Sequence, residues 1–247
     1  MAQIIAVANL KGGVGKSTIA VNLACGLSVN GSSAVIIDAD TQGTSSFWES
    51  QGGLPVSLRA MPLEDRADKQ GWLSRLFSAG DSEQQRVNRW KRDLASAKAA
   101  FVIIDCPPHV GLATKAALAA ADLVLVPVTP TAADIAATAP AIHLINMART
   151  RRGDGRPHCL IVPSRVDRST STGREIEKVL KRFGEQVGPA LCSRVAFADS
   201  TAFGKWVGAY APGSPAHREM HALVLAVRNK LGRIKSESKS GAKGGSA

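Results

Sequence analysis

Hydrophobic positions along this chain fall into short continuous runs, not alternating stripes. Ile4–Ala8, Ala34–Ile37, Phe101–Ile104 and Leu123–Val126 are the clearest, Leu160–Val162 is a fifth and Leu191–Val195 a weaker sixth. Each is shorter than a helix and is followed by a turn containing Gly, Pro or Asp, the pattern of strands buried on both faces. Ala- and Leu-rich stretches of helical length lie between them, Thr18–Val29 and Leu112–Ala121 among them. Strands alternating with helices predict an α/β fold, a doubly wound and mostly parallel sheet flanked by helices. Such sheets bind ligands at the carboxyl ends of their strands. Residues 8–17, 38–46, 105–111 and 127–134 are therefore expected to share one rim.

The pattern loosens between Glu49 and Ala100, where Gly52-Gly53, Pro55 and Pro62 interrupt it and the charged segment Asp81–Lys98 reads as an exposed helix. No linker or internal repeat divides the chain, so one domain is expected over residues 1–234. Residues 235–247 are Ser, Gly and Lys with almost nothing to bury, and are expected to form a disordered tail.

Composition adds two constraints. Aromatics make up only 4% of the chain, so the core must be aliphatic. The formal charge of +11 attracts polyanions, with nucleic acid and anionic membrane as the leading classes. No apolar run approaches the ~20 residues of a membrane span, and Met1-Ala2-Gln3 carries no basic leader region, so a soluble, non-secreted protein is expected. The cysteines Cys25, Cys106, Cys159 and Cys192 are scattered without a C-x-x-C pair. That spacing argues against a structural zinc or a disulfide framework and fits small core fillers in a reducing cytosol.

The chemistry gathers just after the first strand. Residues 9–18 read Asn-Leu-Lys-Gly-Gly-Val-Gly-Lys-Ser-Thr. Gly15-Lys16-Ser17 completes the phosphate-loop pattern G-x-x-x-x-G-K-[ST], although its first glycine position is Leu10. Gly12, Gly13 and Gly15 allow positive φ and close backbone approach, so successive N–H groups can wrap a phosphate. A helix starting near Lys16 adds its N-terminal dipole. The segment Lys11, Gly12, Gly13, Val14, Gly15, Lys16, Ser17, Thr18 is thus the predicted site for ATP. Lys16 is assigned to the β- and γ-phosphates, Ser17 to Mg²⁺ and Thr18 to the α-phosphate. Two further segments carry acids at strand ends: Asp38-Ala39-Asp40-Thr41-Gln42-Gly43, and Asp105-Cys106-Pro107-Pro108 after an apolar run. The second has the Walker B pattern, in which the carboxylate holds Mg²⁺ directly or through water.

With lysines at both ends of its glycines, K-G-G-V-G-K-S-T resembles the deviant Walker A loop of the ParA/MinD family of P-loop ATPases. The D-x-D-x-Q-G segment (with Thr41 where proline is usual), the D-x-P-P ending and Val126-Pro127-Val128-Thr129-Pro130 agree with that family. The resemblance implies an ATP-dependent homodimer with two nucleotides at its interface. It implies that Lys11 reaches the partner's ATP, that Asp40 positions the attacking water and that Asp38 joins Ser17 and Asp105 in the magnesium network. An adenine-reading Asn is usual further along; here Pro163-Ser164-Arg165 stands instead. No Arg or Gln is placed to speed hydrolysis, so slow turnover raised by a partner is expected.

Small ParA-type members bind DNA without sequence preference, which the basic excess suits. Candidate contacts are Arg194, Arg218, Arg228, Lys230 and Arg233, with Arg168, Arg174, Lys178, Lys181 and Arg182 as a second cluster. The resemblance therefore implies a cytoplasmic, nucleoid-associated ATPase. It would position or partition a cargo with a ParB-like or other adaptor protein. The alternative is a MinD-like switch acting on membrane or protein partners; membrane insertion is not expected, because the polar tail lacks Trp and Phe.

Overall fold

The computed structural model of the chain describes residues 2–63 and 82–243. The aliphatic runs become strands: β1 Gln3–Val7, β2 Ala34–Asp38, β3 Ser57–Ala60, β4 Phe101–Asp105, β5 Leu123–Val128, β6 His158–Pro163 and β7 Gln186–Val187. They form one seven-stranded sheet in the order β3-β2-β4-β1-β5-β6-β7. Every pairing is parallel. After β4 the chain crosses β1 and builds outward on the other side, so the strand order reverses beside β1. That switch point opens a crevice at the carboxyl end of β1.

Ten α-helices are described: α1 Lys16–Val29, α2 Thr44–Ser50, α3 Glu83–Ala95, α4 Leu112–Ala120, α5 Ala132–Ala136, α6 Thr138–Arg152, α7 Ser171–Leu180, α8 Val195–Ala202, α9 Val207–Tyr210 and α10 Pro215–Lys243. They cover both faces of the sheet. Ile5, Val7, Ile36, Ile103, Leu125 and Leu160 pack with α1 and α10. The alternate positions Ala6, Val35, Ile37, Ile104, Val124 and Ile161 pack with residues of α3, α4, α6 and α7. The period of two hidden in the continuous apolar runs therefore sorts residues between two cores, not between core and solvent.

On the first face α10 buries Met220, Leu223, Val224, Val227 and Leu231, a stripe at helical spacing. Gly26 of α1 lets the two helices approach, since a Cβ there would come within 2.7 Å of a Val224 methyl. Trp48 of α2 is 1% exposed, and its indole N–H donates to the Lys205 carbonyl at 3.2 Å. It therefore ties the loop after β2 to the segment between α8 and α9. Trp48→Ala is expected to cost about 3–5 kcal/mol, measured by chemical denaturation of the isolated chain.

Four features depart from the sequence reading. β3 and β7 are edge strands whose residues are mostly exposed or half-buried, so neither carries an apolar run. Leu191–Val195 is no strand: Cys192 makes a single bridge to Val166, and Val195 opens α8. The segment expected as an exposed helix is α3, started by a Ser82/Gln85 capping box. It docks through buried Trp90 and Leu94, and the Trp90 indole donates to the Met61 carbonyl at 2.9 Å. Finally, the helical backbone of α10 runs on to Lys243, where a disordered tail was expected from 235. No proline follows Pro215 to stop it. Residues 64–81 and 244–247 lie outside the described residues.

Candidate nucleotide site

The loop after β1 is fixed at both ends and free to turn between them. At its start the Asn9 amide donates to the Pro127 carbonyl at 2.6 Å and accepts from the Lys11 N–H at 3.3 Å. In the middle Val14 is 1% exposed, a side chain anchored in the core. At its end α1 begins at Lys16, aiming its free first-turn N–H groups at the loop. The turns are made at Gly13 and Gly15, with φ of 76° and 95°. A Cβ at Gly15 would also lie 2.9 Å from the Ser164 hydroxyl. Gly15→Ala therefore combines left-handed strain of about 1–2 kcal/mol with a clash. It is expected to weaken nucleotide binding at least tenfold by titration calorimetry, roughly what that strain alone amounts to.

Lys16 is buried and donates its ammonium to the Lys11 carbonyl at 2.7 Å. Burial pulls its pKa down, while the charges of Asp105 and Asp40 hold it up. The site thus concentrates one desolvated cation against two acids, poised for a polyanion.

Asp38 and Asp105 sit side by side in the β2–β4 register, and each is 1% exposed. Their oxygens are used differently. Asp38 accepts from the Asp40 N–H at 3.2 Å and, through its other oxygen, from the Ser46 N–H at 2.8 Å and the Ser46 hydroxyl at 2.6 Å. Its carboxylate is thus committed to shaping the turn into α2, a contact set that the metal role expected of it leaves out. One Asp105 oxygen accepts from the Ser45 hydroxyl at 2.6 Å, while the other is buried and unpartnered. Burial pushes the Asp105 carboxyl up to about 7, against the hydroxyls of Ser45 and Ser17 beside it. An orphaned buried carboxylate oxygen next to a serine hydroxyl fits a hard divalent cation, so Ser17 and Asp105 are the residues suited to hold Mg²⁺.

These elements surround an open cavity of about 550 Å³. Gly12, Gly13, Gly15, Lys16, Ser17, Thr18 and Asp40 line one side. Asp40 is half-buried and accepts from the Gln42 N–H at 3.0 Å, which leaves its other oxygen for the cavity. The other wall is formed by Ser164, Arg165, Leu191, Cys192, Arg194, Val195, Phe197 and Thr201, of which the resemblance places only Ser164 and Arg165 near a nucleotide. Its signal in the sequence is faint, because these residues follow β6 or belong to α8 and carry no phosphate motif. Cys25, Cys106 and Cys159 are buried as expected, whereas Cys192 is half-buried on this wall. Burial raises all four thiols, which leaves them poor nucleophiles.

Residues 2–60 and 76–153 match a family model described as an AAA domain. The chromosome partitioning protein ParA of Caulobacter vibrioides is 30% identical over 254 residues, covering 91% of this chain and 94% of that protein. The chain belongs to the ParA/MinD family of P-loop ATPases. The maintenance of carboxysome distribution protein A of Halothiobacillus neapolitanus is 30% identical over 184 residues, covering 74% of this chain and 76% of that protein. Among solved structures, the septum site-determining protein MinD of Pyrococcus horikoshii, complexed with Mg-ADP, shares the fold. Its TM-score is 0.70 at 19% identity, over 95% of this chain and 99% of that one.

Within this ParA/MinD chain the remaining predicted residues scatter. Lys11 is exposed and lies outside the cavity lining. Arg194 lines the cavity and pairs with Glu219 at 2.8 Å, so it faces the nucleotide side and not an open basic surface. Arg218 donates to the Gly213 carbonyl, and Lys230 donates to Gln186 at 2.9 Å. Arg228 and Arg233 are exposed on α10. In the second cluster Arg168 pairs with Glu177 and Lys178 with Glu175, Arg174 donates to the Ser169 carbonyl, and Lys181 and Arg182 are exposed. Among the described residues, no helix is long and apolar enough to cross a membrane.

Proposed function

We propose that the cavity binds MgATP and hydrolyses it to ADP and phosphate, and that ATP drives two copies together into a dimer that holds DNA without sequence preference. The observation that carries the nucleotide reading is the 550 Å³ cavity itself, with the glycine loop, Lys16 and Asp40 on its wall above the orphaned oxygen of Asp105. The Mg-ADP bound by the MinD neighbour supports the same reading. Ser17 and Asp105 would hold Mg²⁺, which would supply charge neutralisation for the phosphates. The loop N–H groups and Lys16 stabilise charge developing on the γ-phosphoryl oxygens. Asp40 orients the attacking water and takes up its proton, since its second oxygen is open to the cavity. Lys11, exposed at the lip, reaches the nucleotide of a second copy.

The cycle fits the chromosome-partitioning and carboxysome-distribution roles that the relatives are named for. The ATP-bound dimer rests on the nucleoid through α10, and an adaptor carrying the cargo triggers hydrolysis and release. With Arg194 and Lys230 engaged within the protein, Arg228 and Arg233 are the leading phosphate contacts. Several unspecific cations per dimer give binding that falls steeply with salt. The test is binding to a random-sequence duplex without nucleotide, with ADP and with MgATP, at low and moderate salt. Binding confined to MgATP and lost at moderate salt supports the reading. No binding in any state, alongside ATP-driven dimerisation, overturns its DNA half and favours a switch acting on membrane or protein.

A further inference from the structure

Arg165 is the one non-glycine residue with positive φ among the described residues, at 52°. Left-handed backbone disfavours a residue with a Cβ, and such conformations persist where the surroundings enforce them, often at working sites. The turn containing Arg165 follows β6 and clasps the phosphate loop at two points. The Ser164 hydroxyl fills the space that a side chain at Gly15 would need. The Arg165 guanidinium donates to the Gly13 carbonyl at 2.9 Å, across 152 residues of sequence. Arg149, Arg152, Arg156, Arg168 and Arg194 each pair with a carboxylate; among the described residues Arg165 meets none.

The contact fixes a peptide plane. The Gly13–Val14 bond is trans, so its C=O and N–H point in opposite directions. Turning that plane changes ψ at Gly13, which glycine allows, together with φ at Val14, so the hydrogen bond acts with the Val14 side chain to keep it in place. The bond to Arg165 holds the Gly13 oxygen, and with it the Gly13–Val14 peptide and the Val14 N–H, in one orientation beside the cavity that Gly13 and Arg165 both line. We infer that Arg165 is a positioning residue for nucleotide binding: by holding the Gly13 carbonyl it locks the Gly13–Val14 peptide of the phosphate loop in one orientation.

This inference rests on the reading of the cavity as a nucleotide site, and its test separates the two. Asn tolerates left-handed backbone, so Arg165→Asn keeps the turn and removes the guanidinium. Dissociation constants for ADP and ATP are measured on the full chain by titration calorimetry for wild type, Arg165→Asn, Arg165→Lys and Lys16→Ala, with melting temperatures taken without nucleotide. The expected result for Arg165→Asn is an unchanged melting temperature and about tenfold weaker binding of both nucleotides. KM should rise with little change in kcat. Lysine, which can still donate to the Gly13 oxygen, should restore part of the loss. Wild-type affinity in Arg165→Asn, with Lys16→Ala impaired, overturns the role of Arg165 and leaves the nucleotide site standing. A loss confined to ATP identifies a direct γ-phosphate ligand and likewise overturns it. If wild type binds neither nucleotide, both readings fall.

Discussion

Lys16→Ala is expected to reduce ATP turnover by about 10²–10³-fold, the usual loss when one preorganised stabiliser of developing charge is removed. The reason lies in its surroundings. The ammonium is buried and held by the Lys11 carbonyl at the first turn of α1, so its charge acts in a partly desolvated cavity. Alanine leaves the Lys11 carbonyl without its donor and removes the cation facing Asp105 and Asp40. Nucleotide affinity should fall as well, because ground state and transition state both carry phosphate charge. A steady-state phosphate-release assay beside nucleotide titration measures both effects. Retention of more than a third of wild-type turnover would place the catalytic charge elsewhere.

Asp40→Ala is expected to behave in the opposite way toward binding. Removing the cavity carboxylate should leave MgATP affinity within a few-fold of wild type and cut turnover by about 10²–10⁴-fold, the range for a positioned general base. Asp40 makes one hydrogen bond through its side chain, to the Gln42 N–H. The turn should survive its loss because Asp38 supplies the bonds to Ser46 that start α2. Asp38→Ala, by contrast, should unsettle that turn and lower stability along with activity. Equal turnover in wild type and Asp40→Ala, at saturating MgATP, would remove Asp40 from the mechanism.

How far the molecule could be read from its chain depends on the range of the contacts. The phosphate loop was legible because its parts are consecutive: strand, glycines, Lys16, helix. The strand-end acids Asp38, Asp40 and Asp105 were legible for the same reason, and parallel register then set Asp38 beside Asp105. The serine hydroxyls that divide their labour were not. Ser45 and Ser46 look like any polar pair at a helix start, yet one serves Asp105 and the other Asp38. The far wall of the cavity was hidden more thoroughly, since Arg165 and Ser164 reach the loop only because β6 lies two strands from β1. Edge strands β3 and β7 escaped because a half-exposed strand carries no apolar run. The basic residues illustrate the converse. Composition announced a net excess of cations but not where it lies, and Arg194, Arg168 and Lys178 sit beside Glu219, Glu177 and Glu175, which removes them from an open basic surface.

ATP, and not ADP, is expected to close two copies of this chain around their phosphate loops. The most direct measurement is sedimentation equilibrium of Asp40→Ala without nucleotide, with MgADP and with MgATP, repeated for the double variant carrying Lys11→Ala. The expected result is monomer in the first two states, dimer with MgATP, and loss of that dimer when Lys11 is replaced. A chain that binds MgATP yet stays monomeric, or one that dimerises equally in all three states, would contradict it.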